Sequence, residues 1–547
     1  MSSNNSSIVW RTFETTSEGR VDILKLDSTH IAKLTLRMML AGISIFLFTR
    51  AFTPFCWSTY LFYLVPLVPL WRGKLAPRLF ELAALEAVLI GTISSWMITG
   101  YFAEMSASYG KWLHLICCLV NSLPLVGIAV TLHWTHKWAL IMAAPVAALA
   151  AVFFEFAHCK VLGITWVGTY PSLAVAETPI VQWVSQLSPF GLSFALTLTG
   201  CCWFPDWNKA GLVRWSSTFL ALVLTTVLWH GGRVLEKNVS VRPMPFSAMM
   251  VQASRSKDDS RPSWKILNEL TRSSLQQDGP ADLILWPEGS LGVSNYSDVH
   301  WAMDEPYKHT NETKAVGELD TEHPADASPA LDLGRFQREL AAEYKTQCLV
   351  GCTMLKRVVT DASDSAKVIN YQYNCGCLTS PTGVVGCHEK LALMPFHEES
   401  PSWLRFLWEA TAGFNSTPNT QSRFEAGKNF RPLSLTDRLG KRHRIAVAIC
   451  YESWLSWLPQ YHSQENLDAI CHLVYDGSYV KFPLVNQRML QSIRLRAIES
   501  RTWQLVCSYH ASSAIIDPRG RIVAQLPRGQ SVLRTDEVVF SLDSTRQ

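Results

Sequence analysis

Three stretches of the 547-residue chain each end in a side chain able to do covalent chemistry. In Arg444-Ile-Ala-Val-Ala-Ile-Cys-Tyr-Glu-Ser-Trp-Leu455, five apolar residues, Ile445 to Ile449, run into Cys450. The pattern predicts a fully buried strand, turned by Tyr451-Glu452-Ser453. In Ala281-Asp-Leu-Ile-Leu-Trp-Pro-Glu288, a second apolar strand ends on an acid. In Cys387-His-Glu-Lys390-Leu-Ala-Leu-Met-Pro-Phe-His-Glu398-Glu-Ser-Pro401, a lysine is followed by an acidic turn. An α/β sheet presents its chemistry at its strand ends. Taken singly, each residue has a plainer reading. Cys450 reads as a core cysteine, a type that is often buried. Glu288 reads as a solvated acid, Lys390 as a surface lysine, and Glu398 and Glu452 as turn residues.

Taken together and in order, the acid, the lysine and the cysteine resemble the Glu–Lys–Cys set of the nitrilase (carbon–nitrogen hydrolase) superfamily. The wording is closest to one branch. "WPE", "K…L.PF.E..P" and "ICYE" resemble the apolipoprotein N-acyltransferases of bacteria, over about Pro245 to Val539. The resemblance implies a four-layer α-β-β-α sandwich. It also implies roles. A thiolate at Cys450 attacks a carbonyl, and Glu288 takes and returns the proton. Lys390 steadies the oxyanion and favours the thiolate. Glu398 matches a second acid of the acyltransferases, and Tyr451 and Glu452 match their "CYE" motif. Arg496 and Glu499 match an "RA.E..R" helix, where their i, i+3 spacing lets them pair as scaffold. Phe424-Glu-Ala-Gly427 resembles the family's "F..G" stretch.

Three departures bear on the substrate more than on the reaction. Tyr475-Asp476-Gly-Ser-Tyr479 stands where the acyltransferases usually carry Asn-Asp and aromatic residues. His510-Ala511 replaces their Asn-Gly, and His397 replaces a small residue. Tyr475 and His510 are therefore expected, with Glu398, Tyr451 and Glu452, to line the substrate side of the pocket.

Composition sets the frame around these residues. Hydrophobic residues are 48% and charged residues 17%, which is low on charge for a soluble protein, and the deficit falls in the first 232 residues. A formal charge of +4 on a chain this long gives no sign of a nucleic-acid partner. The fourteen cysteines show no C-x-x-C pairs, so neither a zinc site nor a disulfide framework is indicated, and Cys375-Gly-Cys377 reads as strand. No metal or cofactor is expected.

Residues 1–33 are polar and read as a cytosolic tail, with no signal peptide. Seven apolar runs follow, near 34–52, 57–71, 79–103, 112–132, 138–157, 183–204 and 212–229. Most reach the roughly 17–25 residues that a membrane span needs. Lysine and arginine concentrate in the tail and in alternate loops (Arg72, Lys74, Arg78; Lys137; Lys209, Arg214), which places the N-terminus inside. An odd number of spans then puts the remainder on the non-cytoplasmic side. Glu81, Glu86, Glu155 and His158 lie in or beside the runs and are expected near span ends, reaching water.

Residues 233–547 alternate short strands with amphipathic helices, as in an α/β domain. Strands are expected over 246–252, 283–286, 348–354, 371–378, 384–389 and 503–507, and helices over 264–276, 333–344 and 488–501. A hairpin turns at Pro518 and Gly520, and 298–329 reads as an inserted loop.

The expected organisation is thus a tail (1–33), a transmembrane helical bundle (34–232) and a nitrilase-like catalytic domain (233–547). The reaction implied is N-acyl transfer. A phospholipid is the acyl donor, Cys450 carries a thioester, and an amine is the acceptor. By resemblance that amine is the N-terminus of a lipoprotein. A membrane-tethered amidase and a non-catalytic nitrilase-fold binding module are the alternatives. Asn238, Asn295, Asn311 and Asn415 begin N-x-Ser/Thr sequons. They favour an endoplasmic reticulum lumen for the catalytic domain; in a bacterium it would be the periplasm.

Overall fold

The computed structural model describes residues 107–160, 171–206, 209–253, 263–291, 293–295, 333–359, 368–394, 398, 424–455, 466–477, 483–510, 513–526 and 531–535, with isolated positions between 32 and 68. The tail, most of the first three apolar runs, the 298–329 insertion, His397, Glu81 and Glu86 lie outside them. The chain divides into two compact units. One comprises Met1–His158, Tyr170–Thr178 and Phe190–His230; the other comprises Cys159–Thr169, Pro179–Pro189 and Gly231–Gln547.

The first unit is helical. Helices α1 (Ala107–Trp134), α2 (Leu140–Lys160), α3 (Val184–Cys202) and α4 (Gly211–Asn238) coincide with the last four apolar runs and lie mostly in this unit; 184–189 and 231–238 belong to the other. Two of them, α2 and α4, are long and apolar enough to cross a membrane by length and composition; the apolar part of α1, Leu123–Trp134, is shorter. Helix α3 breaks where Ser188 takes a φ of 60° ahead of Pro189, because proline cannot continue the hydrogen-bond ladder behind it. The Asp206 carboxylate accepts the Leu140 N–H at 2.7 Å and so satisfies an otherwise orphan donor at the start of α2. One expectation is corrected here. Glu155 does not reach water: it is buried, and Ser193 of α3 donates to it at 3.1 Å. A buried carboxyl in an apolar helix persists only when a neighbour satisfies it.

The second unit holds two sheets. Strands β1 (Ala248–Val251), β2 (Leu283–Trp286), β3 (Val293–Asn295), β4 (Gln347–Val359), β5 (Val368–Ser380) and β6 (Gly383–Glu389) form one with the last strand, β13 (Val532–Arg534). Its order is β13-β1-β2-β4-β5-β6, with β3 also on β4. The other runs β12-β11-β10-β9-β8-β7, from β7 (Leu433–Thr436), β8 (Arg442–Ile449), β9 (Ala469–Val474), β10 (Trp503–Ser508), β11 (Ala514–Ile516) and β12 (Ile522–Gln525). At the heart of each sheet the strands run parallel, β1–β2–β4 and β8–β9–β10.

The two-residue period of a strand builds two cores from one run of apolar residues. Met250, Leu283 and Leu285 face Ile445, Val447, Ile449, Leu473 and Leu505 between the sheets. Their neighbours Met249, Val251, Ile284 and Trp286 face the opposite way, onto Leu267 and Leu275 of α5 (Ser263–Asp278) and Leu340 of α6 (Leu333–Tyr344). Trp286 is fixed there by donating to Thr271 at 3.0 Å. Helix α7 (Pro483–Ser500) packs on β10 and buries Met489, Ile493 and Ala497. The result is the expected nitrilase-like α-β-β-α sandwich.

The structure extends several elements. Strand β4 runs on to Val359, and β5 starts at Val368. Helix α7 begins at Pro483, five residues before the periodic pattern starts, because proline suits the first turn, where the missing N–H costs nothing. The cysteine pattern also misled: Cys377 and Cys387, directly paired across β5 and β6, form a disulfide.

Candidate active site

The site lies where strands end. Glu288 follows β2, Lys390 follows β6, Cys450 follows β8 and Tyr475 follows β9. Parallel neighbours in the second sheet end at one edge, so residues distant in sequence meet there.

Glycine makes two of these placements possible. A Cβ on Gly351 of β4 would sit 2.5 Å from the Glu288 Cα, so only glycine lets the Pro287-Glu288 backbone cross β4 this closely. A Cβ on Gly427 would sit 2.6 Å from the Glu389 carbonyl, and the Gly427 N–H donates to the Lys390 carbonyl at 2.8 Å. The "F..G" stretch therefore acts as a clamp on the lysine.

Lys390 is 1% exposed. Its ammonium lies 2.7 Å from Glu398 Oε2 and 3.5 Å from Glu288 Oε1. Burial alone would drive the lysine neutral, but the two carboxylates outweigh it and raise its pKa, so it is charged. Glu398 is likewise opposed by burial, yet Lys390, Asn374 and the Met394 N–H at 2.7 Å hold its pKa below the usual carboxylate value.

Asn374, inside β5, was not legible as a site residue. Its Nδ2 donates to Glu288 Oε1 at 2.7 Å and to Glu398 Oε1 at 2.9 Å, and its carbonyl accepts the Lys390 N–H at 2.8 Å. One amide thus ties together the two acids and the lysine. The sequence carries no periodic or strand-end signal for it. The remaining Glu288 oxygen accepts the Tyr475 N–H at 3.0 Å.

Cys450 takes a φ of 47° at the head of a 3₁₀ turn, Cys450–Trp454. A non-glycine residue is disfavoured there and is held only by its surroundings. The thiol donates to the Tyr475 carbonyl at 3.9 Å and also interacts with Glu288, Lys390 and Glu398. Burial and Glu288 push its pKa well above the usual value, against the opposing pull of Lys390. Lys390 favours the thiolate, as expected, but burial and the two carboxylates outweigh its pull.

Glu452 is fully buried. It accepts Leu391 N–H at 2.7 Å, Ala392 N–H at 3.3 Å and Ile449 N–H at 2.8 Å, and His388 Nε2 lies 3.1 Å away. Its four partners lie on two chain segments, and they hold the side chain inside the scaffold. Tyr451 is buried beside it. The turn is braced by Ser453, whose hydroxyl meets His472 Nδ1 at 2.8 Å. The His472 Nε2 meets Gln504, and burial pushes this imidazole down to about 4.

Tyr475 remains 46% exposed, and its ring packs against Tyr509 and His510. The His510 N–H donates to buried Asp476 at 2.7 Å, and its carbonyl accepts from Gln252. With Tyr509 these two residues form an aromatic cluster beside Glu288. Arg496 and Glu499 pair at 2.6 Å on α7, as their spacing suggests.

The fold and the site define a class. The chain belongs to the carbon-nitrogen hydrolase family, whose model matches residues 248–545. Among curated proteins it is similar to an apolipoprotein N-acyltransferase 2 of Treponema denticola, 24% identical over 401 residues, covering 69% of this chain and 67% of that protein. It is similar to an apolipoprotein N-acyltransferase of Geobacter metallireducens, 22% identical, covering 66% of this chain and 61% of that protein. A third relative, the enzyme of that name from Pseudomonas syringae pv. tomato, is 24% identical over 472 residues, covering 82% and 80%. Among solved structures, Saccharomyces cerevisiae Nit3, of the nitrilase superfamily, aligns at 17% identity over 55% of this chain and 93% of its own, with a TM-score of 0.33.

Proposed function

We propose that the protein is a membrane N-acyltransferase. It moves an acyl chain from a phospholipid to Cys450 and then to an amine. In the first half-reaction Glu288 takes the thiol proton as the sulfur attacks the ester carbonyl. The Lys390 ammonium faces the oxyanion. Collapse breaks the ester bond, the lysophospholipid oxygen leaves with the proton from Glu288, and a thioester remains. In the second half, an amine attacks that thioester, passes a proton through Glu288 to the departing sulfur, and leaves as an amide. Glu398 keeps Lys390 charged for both steps. Tyr475, His510 and Tyr451 are assigned to the acceptor side. By the relatives' names, the acceptor is an amine of an apolipoprotein, which we assign to its N-terminus.

One observation carries this reading over a hydrolase. The similarity to the acyltransferases spans 401 and 472 residues, well beyond the hydrolase stretch 248–545, so it includes apolar helices upstream. A lipid donor gives those helices a purpose, because exposing an acyl chain to water costs about 0.8 kcal/mol per CH₂. The reading extends to seven spans over 34–232, a cytosolic tail at 1–33 and a catalytic domain, 233–547, on the non-cytoplasmic side. The test is to supply purified protein with acyl-labelled phospholipid and an N-terminal diacylglyceryl peptide. The label should appear as peptide amide. Release as free fatty acid, with no amide, would leave a hydrolase that uses water as the acceptor instead.

A further inference from the structure

Glu452 belongs to the nucleophile's turn, yet three of its four partners flank Lys390. His388 stands two residues before Lys390, and Leu391 and Ala392 follow directly after it. The carboxylate therefore grips the chain on both sides of Lys390. His388 Nε2 lies at 3.1 Å, and the Leu391 and Ala392 N–H groups donate at 2.7 and 3.3 Å. A fourth contact, the Ile449 N–H at 2.8 Å, ties the same carboxylate to the residue before Cys450. Both His388 and Glu452 have side chains with 0% exposure. The imidazole packs edge-on against Phe430, and its Nδ1 has no hydrogen-bond partner among the described residues. An apolar ring would fill this pocket without leaving Nδ1 unsatisfied. The polar atom that is used, Nε2, points at Glu452.

We propose that His388 is a positioning residue for acyl transfer: through Glu452 it fixes the spacing between the lysine that meets the oxyanion and the cysteine that carries the acyl group. The inference rests on the acyl-transfer reading given above. Three backbone N–H groups hold Glu452 along the chain, but His388 is its side-chain partner from β6. Removing that contact frees the carboxylate to rotate about its remaining donors, and Lys390 moves with Leu391 and Ala392. Displacements of about 1 Å at a reacting centre can cost about a hundredfold in rate.

The test compares full-length protein with His388→Phe, which keeps the ring against Phe430, and His388→Gln, which returns an amide N–H to the place of Nε2. Two quantities are read. One is the single-turnover rate of Cys450 thioester formation from acyl-labelled phospholipid, over a range of donor concentration. The other is the pH profile of Cys450 alkylation by iodoacetamide, which needs no acyl donor. The Phe variant should acylate about 10–100-fold more slowly with the donor's half-saturation unchanged. Its alkylation profile should move to higher pH, because Lys390 is the group that opposes burial and Glu288 at that thiol. The Gln variant should recover most of both. A Phe variant whose alkylation profile superimposes on wild type, or a Gln variant as impaired as Phe, would overturn the proposal. Wild-type protein that forms no thioester would sink the acyl-transfer reading itself, while the alkylation profiles would still decide the role of His388.

Discussion

The Lys390 ammonium sits 2.7 Å from Glu398 Oε2, closer than the 3.5 Å that separates it from Glu288. The acid that neutralises the lysine is thus distinct from the acid that faces the thiol. In the proposed reaction this division assigns the proton to Glu288 and the charge balance of Lys390 to Glu398.

The pair has a consequence for acid stability. The folded pKa of Glu398 lies below its ordinary value of 4.5, so its contribution is present above that pH and is lost as pH falls through the lowered value. The folded pKa of Lys390 lies above its ordinary 10.5, so its contribution is complete below 10.5 and is lost only as pH rises through the higher folded value. Glu398→Ala leaves a buried ammonium with one more distant partner and should cost about 3–5 kcal/mol. Melting of detergent-purified wild type and Glu398→Gln should differ by a constant amount across neutral pH. The gap should shrink below pH 4.5. A gap independent of pH throughout would show that Glu398 is not the lysine's counter-ion.

Glu288 should have opposite effects on two reactions of the same thiol. Glu288→Gln removes the proton acceptor and should lower acyl transfer by about 10²–10⁴-fold. It also removes a negative charge that raises the Cys450 pKa, so iodoacetamide should alkylate Cys450 faster near pH 9. Slower alkylation together with slower transfer would point to a collapsed site.

Asn374→Leu should impair the site although no reacting atom is removed. Both carboxylates lose a donor, and a hydrogen bond to a charged group is worth about 1.5–3 kcal/mol. A rate loss of about ten- to a hundredfold in thioester formation is expected, with Cys450 still accessible to alkylation. Wild-type rates in this variant would show that the Asn374 amide does not order Glu288 and Glu398.

The two halves of the site differ in how far they could be read from sequence. Glu288 and Cys450 were legible because each closes an apolar strand, where an α/β sheet brings distant residues together, and Lys390 because its motif lies between theirs in the order of the family. The β2 and β10 segments were legible as short apolar runs, and α6 from its helical period. Asn374 was not, because it sits mid-strand in Tyr373-Asn374-Cys375 with no break in pattern to mark it. The Cys377–Cys387 disulfide depends on the register of β5 against β6, which spacing alone does not set. Glu452 is visible in the sequence through the "CYE" motif, which says nothing of its direction; the 3₁₀ turn after Cys450 aims it into the scaffold. Glu155 was assigned to water because it lies near the end of a run, and the Ser193 partner came from another helix.

The orientation can be tested without activity. Asn238 is exposed at the end of α4 and begins an N-x-Ser sequon. In a eukaryotic membrane, a catalytic domain on the lumenal side makes this asparagine reachable by glycosylation. Peptide-N-glycosidase should then shift the mobility of wild type, and Asn238→Gln should remove its share of that shift. Tags at residues 5 and 547 should behave oppositely toward protease in sealed vesicles. If both behave alike, the number of spans is even and the outward placement fails.

The central claim is that Cys450 carries the acyl group. The most direct measurement is the intact mass of the protein after brief incubation with a phospholipid of defined acyl chain and no amine acceptor. Wild type should gain the mass of one acyl chain, lost on treatment with neutral hydroxylamine, and peptide mapping should place it on Cys450. Cys450→Ala should gain nothing, and the adduct should disappear when an amine acceptor is added. An adduct that persists in Cys450→Ala, or wild type that hydrolyses the donor with no trapped acyl group at any time, would contradict the account.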